Sequence, residues 1–176
     1  MISKPAILFA AFALALGGTA HAQAPNDAEI AAIVVAANSV DIDAGKLAVK
    51  KGSTKAVRDF GQRMVTDHSG VNEQAGALVK KLGVTPMENA TSKSLMDGGK
   101  ANMDKLDKLK GAQFDKAYVD HEVAYHQAVL DAVDKTLIPS AKNAKLKALL
   151  VKVRPAFVAH LEHAKMLQAS LSKSEE

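Results

Sequence analysis

Several residue types are missing or scarce in this 176-residue chain, which contains no cysteine, no tryptophan and only two tyrosines. Without cysteine, disulfides, zinc–thiolate sites and cysteine nucleophiles are excluded. The 23 basic and 19 acidic residues leave a net charge of only +4, and no run of Lys or Arg is longer than two residues. A nucleic-acid-binding surface needs a basic stripe or aromatic platforms, so we expect no nucleic-acid partner.

Long apolar runs are scarce as well, and the most apolar stretch lies at the N-terminus. Lys4 precedes an apolar segment over residues 6–16, and Ala20-His21-Ala22 follows it. The segment is too short to span a bilayer, and a positive residue, a short apolar stretch and small residues are typical of a secretory signal peptide. We therefore predict a signal peptide over residues 1–22 and one mature domain over residues 23–176. The mature protein is then periplasmic or secreted, with no membrane span.

The alternating pattern of half-buried strands is also missing, whereas helical periodicity recurs four times. It predicts long helices over about 27–51, 54–82, 113–137 and 142–171. Residues 83–112 form a long connection, in which we expect a short helix over about 101–110. Two antiparallel hairpins joined by a long crossover are the layout of ferritin-like bundles. We therefore predict an all-α, ferritin-like four-helix bundle.

Ionisable residues interrupt the apolar faces of all four long helices. They are Asp41 on the first helix, His68 on the second, Glu122 and His126 on the third, and His160 on the fourth. Burying such groups is costly unless they are paired, hydrogen-bonded or bound to metal. Glu122 and His126 are four residues apart and share one helix face. Residue counts from the two turns place Asp41 near His68 and His126 near His160, but leave open whether all five form one layer.

Two interpretations of this cluster assign the protein to different functional classes, and a third interpretation is weaker. Imidazoles and carboxylates from several helices suit a transition-metal ion such as iron, zinc, manganese or copper. Alternatively, the cluster is a metal-free network that fixes the packing of a structural or interaction domain, with Tyr118 and Tyr125 as available partners. A ferritin-like metallo-oxidase comes third, because such enzymes carry Glu-x-x-His on two helices and this chain has none. No other motif indicates an enzyme class.

Short segments of the chain are similar to one known family. They are Phe60–His68, Phe114–Tyr118 followed by His126, His160–Ala164 and Asp41–Ala48. In the last segment, the family more often has Glu at the position of Asp41. These segments resemble the exported bacterial ferritin-like family called domain of unknown function 4142. The matching positions are Asp41, Met64, Asp67, His68, Tyr118, His126 and His160.

The resemblance implies a ferritin-like bundle in the periplasm or envelope and supplies no settled activity, cofactor or substrate. Together with the residue pattern, it leads us to expect a periplasmic helical-bundle protein with a buried His/carboxylate cluster. Transition-metal binding or envelope stress protection is the function we expect of it. The sequence indicates neither a protein partner nor an oligomeric state.

Overall fold

The computed structural model describes residues 24–173, and these residues are almost entirely helical. The helices are α1 Asp27–Lys51, α2 Lys55–Leu82, α3 Ala90–Leu106, α4 Gly111–Ala132, the one-turn α5 Ile138–Ser140, and α6 Ala144–Lys173. A π-helical segment, Val133–Leu137, joins α4 to α5. Residues 24–173 contain no strand, so the predicted all-α class is confirmed. The predicted signal peptide over residues 1–22 lies outside the described residues.

The α1–α2 hairpin follows directly from local sequence signals. Asn26 caps α1 by accepting hydrogen bonds from two backbone N–H groups, and Glu29 completes the capping box. Glycines then let the two helices approach closely, because a Cβ atom on Gly45 would lie 2.7 Å from the carbonyl oxygen of Gly61. A Cβ atom on Gly61 would lie 2.8 Å from the carbonyl oxygen of Gly45. This reciprocal contact fixes the register between α1 and α2.

The helix in the long connection is longer than predicted and begins earlier. α3 spans Ala90–Leu106 instead of about 101–110, because Asn89 and Ser92 form a capping box at its start. The glycine pair at 98–99 lies inside the helix. A Cβ atom on Gly99 would come within 2.6 Å of the Val40 side chain. Gly99 is therefore a point of close packing between α3 and α1 and does not end the helix.

The third long helix also differs from its predicted end at residue 137. Its helical path continues to Ser140 through the π-helical segment, in which the backbone N–H of Ile138 donates to the carbonyl oxygen of Val133. Pro139 falls in the first turn of α5, where a missing N–H group is tolerated. Pro139 therefore does not stop the helix at residue 137.

The long helices pack so that one polar layer lies between apolar clusters. α1 contacts α2, α3 and α4, while α6 contacts α2 and α4. One cluster includes Phe60, Phe114 and Tyr118, and two others form around Leu150 and Phe157. The polar residues stand between these clusters along their helices. Among the helices of residues 24–173, none is long and apolar enough to cross a membrane.

Candidate metal centre

The structure brings all five predicted site residues together in a single buried layer. Asp41, His68, Glu122, His126 and His160 are each at most 2% exposed. The Asp41 Oδ2 atom lies 3.4 Å from His68 Nε2 and 4.0 Å from His126 Nε2. The three imidazole centroids are 5.1 to 5.6 Å apart. The five residues therefore lie in one layer and not in two.

The orientation of His68 is fixed by a chain of hydrogen bonds from α1 and α2. The Asn72 amide donates to the backbone carbonyl of Val35 at 3.5 Å, and the Asn38 amide donates to Asn72 Oδ1 at 2.9 Å. The Asn38 Oδ1 atom must then accept, and it lies 2.7 Å from His68 Nδ1. Because a carbonyl oxygen can only accept, this chain places the His68 proton on Nδ1. The Nε2 atom keeps its lone pair and faces the layer.

His126 is fixed by its own helix. Its Nδ1 atom lies 3.0 Å from the backbone carbonyl oxygen of Glu122, one turn earlier. Since the carbonyl group has no proton to give, Nδ1–H is the donor and Nε2 retains the lone pair. The Nε2 atom is the one that faces Asp41.

His160 has the opposite orientation, because its acceptor lies on α2. Its Nε2 atom lies 2.8 Å from Asp67 Oδ2, and Arg63 donates to the same oxygen at 3.3 Å. This oxygen already accepts the Arg63 N–H, and a carboxylate oxygen only accepts. The His160 proton is therefore on Nε2, and Nδ1 carries the lone pair.

Each of the three imidazoles thus donates one N–H group outward and keeps one nitrogen free for the layer. The free atoms, His68 Nε2, His126 Nε2 and His160 Nδ1, are buried and have no hydrogen-bond partner. One ligand atom from each ring lies within 4.8 Å of one from each of the others, and Asp41, Glu122 and His126 form a second such group. Buried polar atoms are nearly always hydrogen-bonded, so this concentration marks the layer as a candidate binding centre.

Burial sets the charge of these groups. It raises the pKa of Glu122 to about 8, and it also raises the pKa of Asp41, to which the Glu122 carboxylate adds. Burial and the neighbouring His126 together lower the pKa of His68 to about 2, and they lower that of His160 to about 4 against the opposing effect of its hydrogen bond with Asp67. At neutral pH His68 and His160 are therefore uncharged and hold their lone pairs available.

Three residues that orient the cluster were not among the predicted site residues. Asn38 and Asn72 hold His68, and Asp67 holds His160. The sequence does carry a signal for the two asparagines, because Asn38 is three residues before Asp41 and Asn72 is four after His68. At that spacing each shares a helix face with a core residue. Tyr125, considered as a partner for the histidines, instead donates to the backbone carbonyl of Ala37 at 3.1 Å.

Residues 14–167 match the protein family described as Domain of unknown function (DUF4142). The chain belongs to this family. In the two other comparisons, neither a curated protein nor a solved structure matches the chain. The family description assigns no activity, and the buried layer is the feature of this DUF4142 protein that indicates a function.

Proposed function

We propose that this DUF4142 protein binds one transition-metal ion through His68 Nε2, His126 Nε2 and His160 Nδ1. Asp41 or Glu122 supplies a further ligand. The observation that carries the proposal is the outward N–H donation by all three imidazoles. Histidines that bind metals almost always donate their other ring N–H to a carboxylate, a backbone carbonyl or a similar acceptor, which fixes the tautomer. Here the three acceptors are a side-chain amide, a backbone carbonyl and a carboxylate.

The spacing and chemistry of the ligand atoms fit a metal ion. Zn–N bonds of about 2.0–2.1 Å in a tetrahedron require ligand atoms about 3.3 Å apart. One ring nitrogen from each histidine lies within 4.8 Å of one from each of the other two, so modest side-chain adjustment closes the site. Neutral imidazoles suit zinc, copper and iron, and the adjacent carboxylates also suit manganese. The low pKa values of His68 and His160 mean that protons compete weakly for those two ligands.

The arrangement of the helices supports a ferritin-like bundle as the scaffold. α1, α2, α4 and α6 each contribute at least one residue to the layer, and α3 lies in the long connection between the two hairpins. Metal sites in such bundles are built from side chains that face inward from several helices. We place the mature domain, residues 23–176, in the periplasm or outside the cell. Metal buffering or envelope stress protection is the role proposed for it there.

The competing function is a metal-free polar layer that fixes helix packing. The raised pKa of Glu122 favours it, because a neutral carboxyl group can donate a hydrogen bond within the layer without any ion. A metallo-oxidase is supported less, since the sequence lacks the paired Glu-x-x-His motifs of that class.

Metal titration of chelator-stripped protein separates these functions. Isothermal calorimetry with Zn²⁺, Fe²⁺, Mn²⁺ and Cu²⁺ is expected to show one ion bound per chain for at least one metal. We expect His126→Ala to abolish this binding and His163→Ala to retain it. His163 is a matched control, because it lies on α6 near Phe60 and Arg63, outside the layer.

Circular dichroism would verify that both variants are folded. If the wild-type protein binds none of the four metals, the metal-free interpretation stands instead. Equal weakening by His163→Ala would also contradict the proposal, because binding would then not depend on the layer. Oxygen consumption by the metal-loaded protein would favour the metallo-oxidase function over simple metal binding.

A further inference from the structure

A second feature of the core is a cavity of about 220 Å³ beside the polar layer. Native protein interiors contain few voids larger than a water molecule, so a void of this size is unusual. Its walls come from α1, α3, α4, α6 and the π-helical segment, and α2 contributes His68. Almost all of the surface lining it is apolar, and cavities with such walls bind apolar molecules.

The inner end of the cavity is aromatic and reaches the layer. His68 and Phe157 both line it, and their rings are stacked with centroids 5.4 Å apart and an interplanar angle of 12°. Asp41 lines the same end. Flat walls of this kind favour offset or edge contacts with another ring. The cavity therefore suits a ring better than a long flexible chain.

The cavity is partly open to solvent, so a small molecule can reach it. Three of its lining residues are themselves exposed: Thr91 on α3, and Ala128 and Ala132 on α4. These positions place its outer end between α3 and α4, where the two alanines are too small to close it. Val133 and Leu137 of the π-helical segment line the wall beyond them. Such segments inside α-helices occur frequently at functional sites.

From these observations we infer that the cavity is a binding site for a neutral apolar molecule of single-ring size. A dry cavity of about 150 Å³ accommodates benzene, so a volume of about 220 Å³ accommodates a substituted ring. An anion of the same size is excluded, because the apolar walls cannot replace its hydration and the Asp41 carboxyl group lines the inner end. The inference does not depend on metal binding, since the apolar walls are formed by the protein alone.

Toluene is the probe, and benzoate is its anionic control of similar size. Thermal unfolding and calorimetry on the purified protein are expected to show stabilisation by toluene and none by benzoate. At a free toluene concentration ten times its Kd, the unfolding equilibrium shifts about elevenfold toward the folded state. If toluene does not bind, or if benzoate stabilises equally, the inference is overturned.

Two variants test whether toluene binds in this cavity, each with a control on the same helix. Val34→Phe fills the cavity, and Val49→Phe is its control at an exposed position outside it. Ala132→Leu narrows the outer end, and Ala124→Leu is its control at an exposed position that does not line the cavity.

We expect at least a tenfold loss of toluene affinity in Val34→Phe and Ala132→Leu and none in the controls. Because Ala132 is exposed, its variant remains informative even if Val34→Phe unfolds. Loss in either folded cavity variant, with binding retained in its control, supports the inference. Retention in every folded cavity variant, or equal loss in the controls, overturns it.

Discussion

Two buried carboxylates stand two turns apart on α4 and have opposite surroundings. Asp115 is fully buried and accepts from the Ser53 backbone N–H at 2.8 Å, the Ser53 hydroxyl at 2.7 Å and the Thr54 backbone N–H at 2.9 Å. Glu122 is buried to the same extent, yet its carboxyl oxygens accept no backbone N–H, and their neighbours are the ionisable groups of Asp41, Tyr118 and His126. The first carboxylate ties α4 to the start of α2. The second has no structural partner of that kind.

The same contrast separates the ends of the molecule from its middle. Asp27 at the start of α1 accepts from the backbone N–H groups of Lys142 and Asn143 at 2.9 and 3.0 Å. Among the described residues, seven of the nine buried side-chain polar atoms without a partner belong to the layer or to the adjacent Tyr118. This chain therefore supplies donors where a carboxylate holds helices together. Unpartnered polar atoms are concentrated where we propose that a metal binds.

The largest predicted effect on stability is at the structural carboxylate. Asp115→Ala should lower the free energy of unfolding by about 3 kcal/mol, because it removes three hydrogen bonds that hold α4 to the start of α2. Urea unfolding measures this loss, and Asp131→Ala on the exposed face of α4 is the control, expected within about 0.5 kcal/mol of wild type. Metal affinity per folded molecule should not change. A change in that affinity would mean that the two carboxylates are not separate in function.

The next effect concerns the residue that orients His68. Asn38→Leu keeps the side-chain volume but removes the oxygen that accepts from Nδ1. Loss of such a partner typically weakens metal binding about 10- to 100-fold, which calorimetry can measure. Ser39→Ala, the neighbouring position whose hydroxyl donates to Val35, is the control. Unchanged affinity in Asn38→Leu would contradict the account of how His68 is held.

A smaller effect is expected at the partner of His160. Asp67→Asn retains an oxygen acceptor but removes the negative charge, and the side chain is partly exposed. We therefore expect a loss of metal affinity of about tenfold or less. Asp59→Asn, on the exposed face of α2, should have no effect. A loss as large as that of a ligand substitution would indicate that Asp67 itself binds the ion.

The smallest effect is a pH dependence of the metal-free protein. Burial raises the folded-state pKa of Glu122 from 4.5 to about 8, so its protonated form favours folding, and that contribution is lost as pH rises through this range. The lowered pKa of His68 has the opposite effect: it makes stability rise with pH, and this rise is complete above about pH 6.5. Stability should therefore fall between pH 6.5 and 8 in urea unfolding. Glu122→Gln should flatten this slope, and an unchanged slope would contradict the assigned surroundings of Glu122.

The sequence predicts the positions of the four long helices well, because caps and apolar periodicity are local signals. It fails where a local signal has a tertiary meaning. The short helix expected over about 101–110 begins already at Ala90, and Gly99 inside it packs against Val40. The third long helix is predicted to end at residue 137, yet the π-helical segment carries the helical path past Pro139. In both cases packing between elements overrides local preference.

The residues of the site also differ in how far the sequence predicts them. His68, His126 and His160 can be found from the sequence, because ionisable residues on apolar faces violate the burial pattern. Their orienting partners are harder to find, since Asn38 reaches His68 only across the α1–α2 packing contact. Counting residues along the helices from each turn gives the height of a side chain along the bundle to within several ångströms. It cannot show that all five ionisable groups share one layer, which depends on how the two hairpins pack.

The central claim is tested most directly by anomalous X-ray scattering from crystals of the metal-loaded protein, measured at the absorption edge of the bound metal. For zinc, the account predicts one strong peak about 2.0–2.1 Å from His68 Nε2, His126 Nε2 and His160 Nδ1. It also predicts that the outward N–H groups keep their acceptors, Asn38, the Glu122 carbonyl and Asp67. A peak elsewhere on the chain, or no peak in the layer at saturating metal, would contradict it.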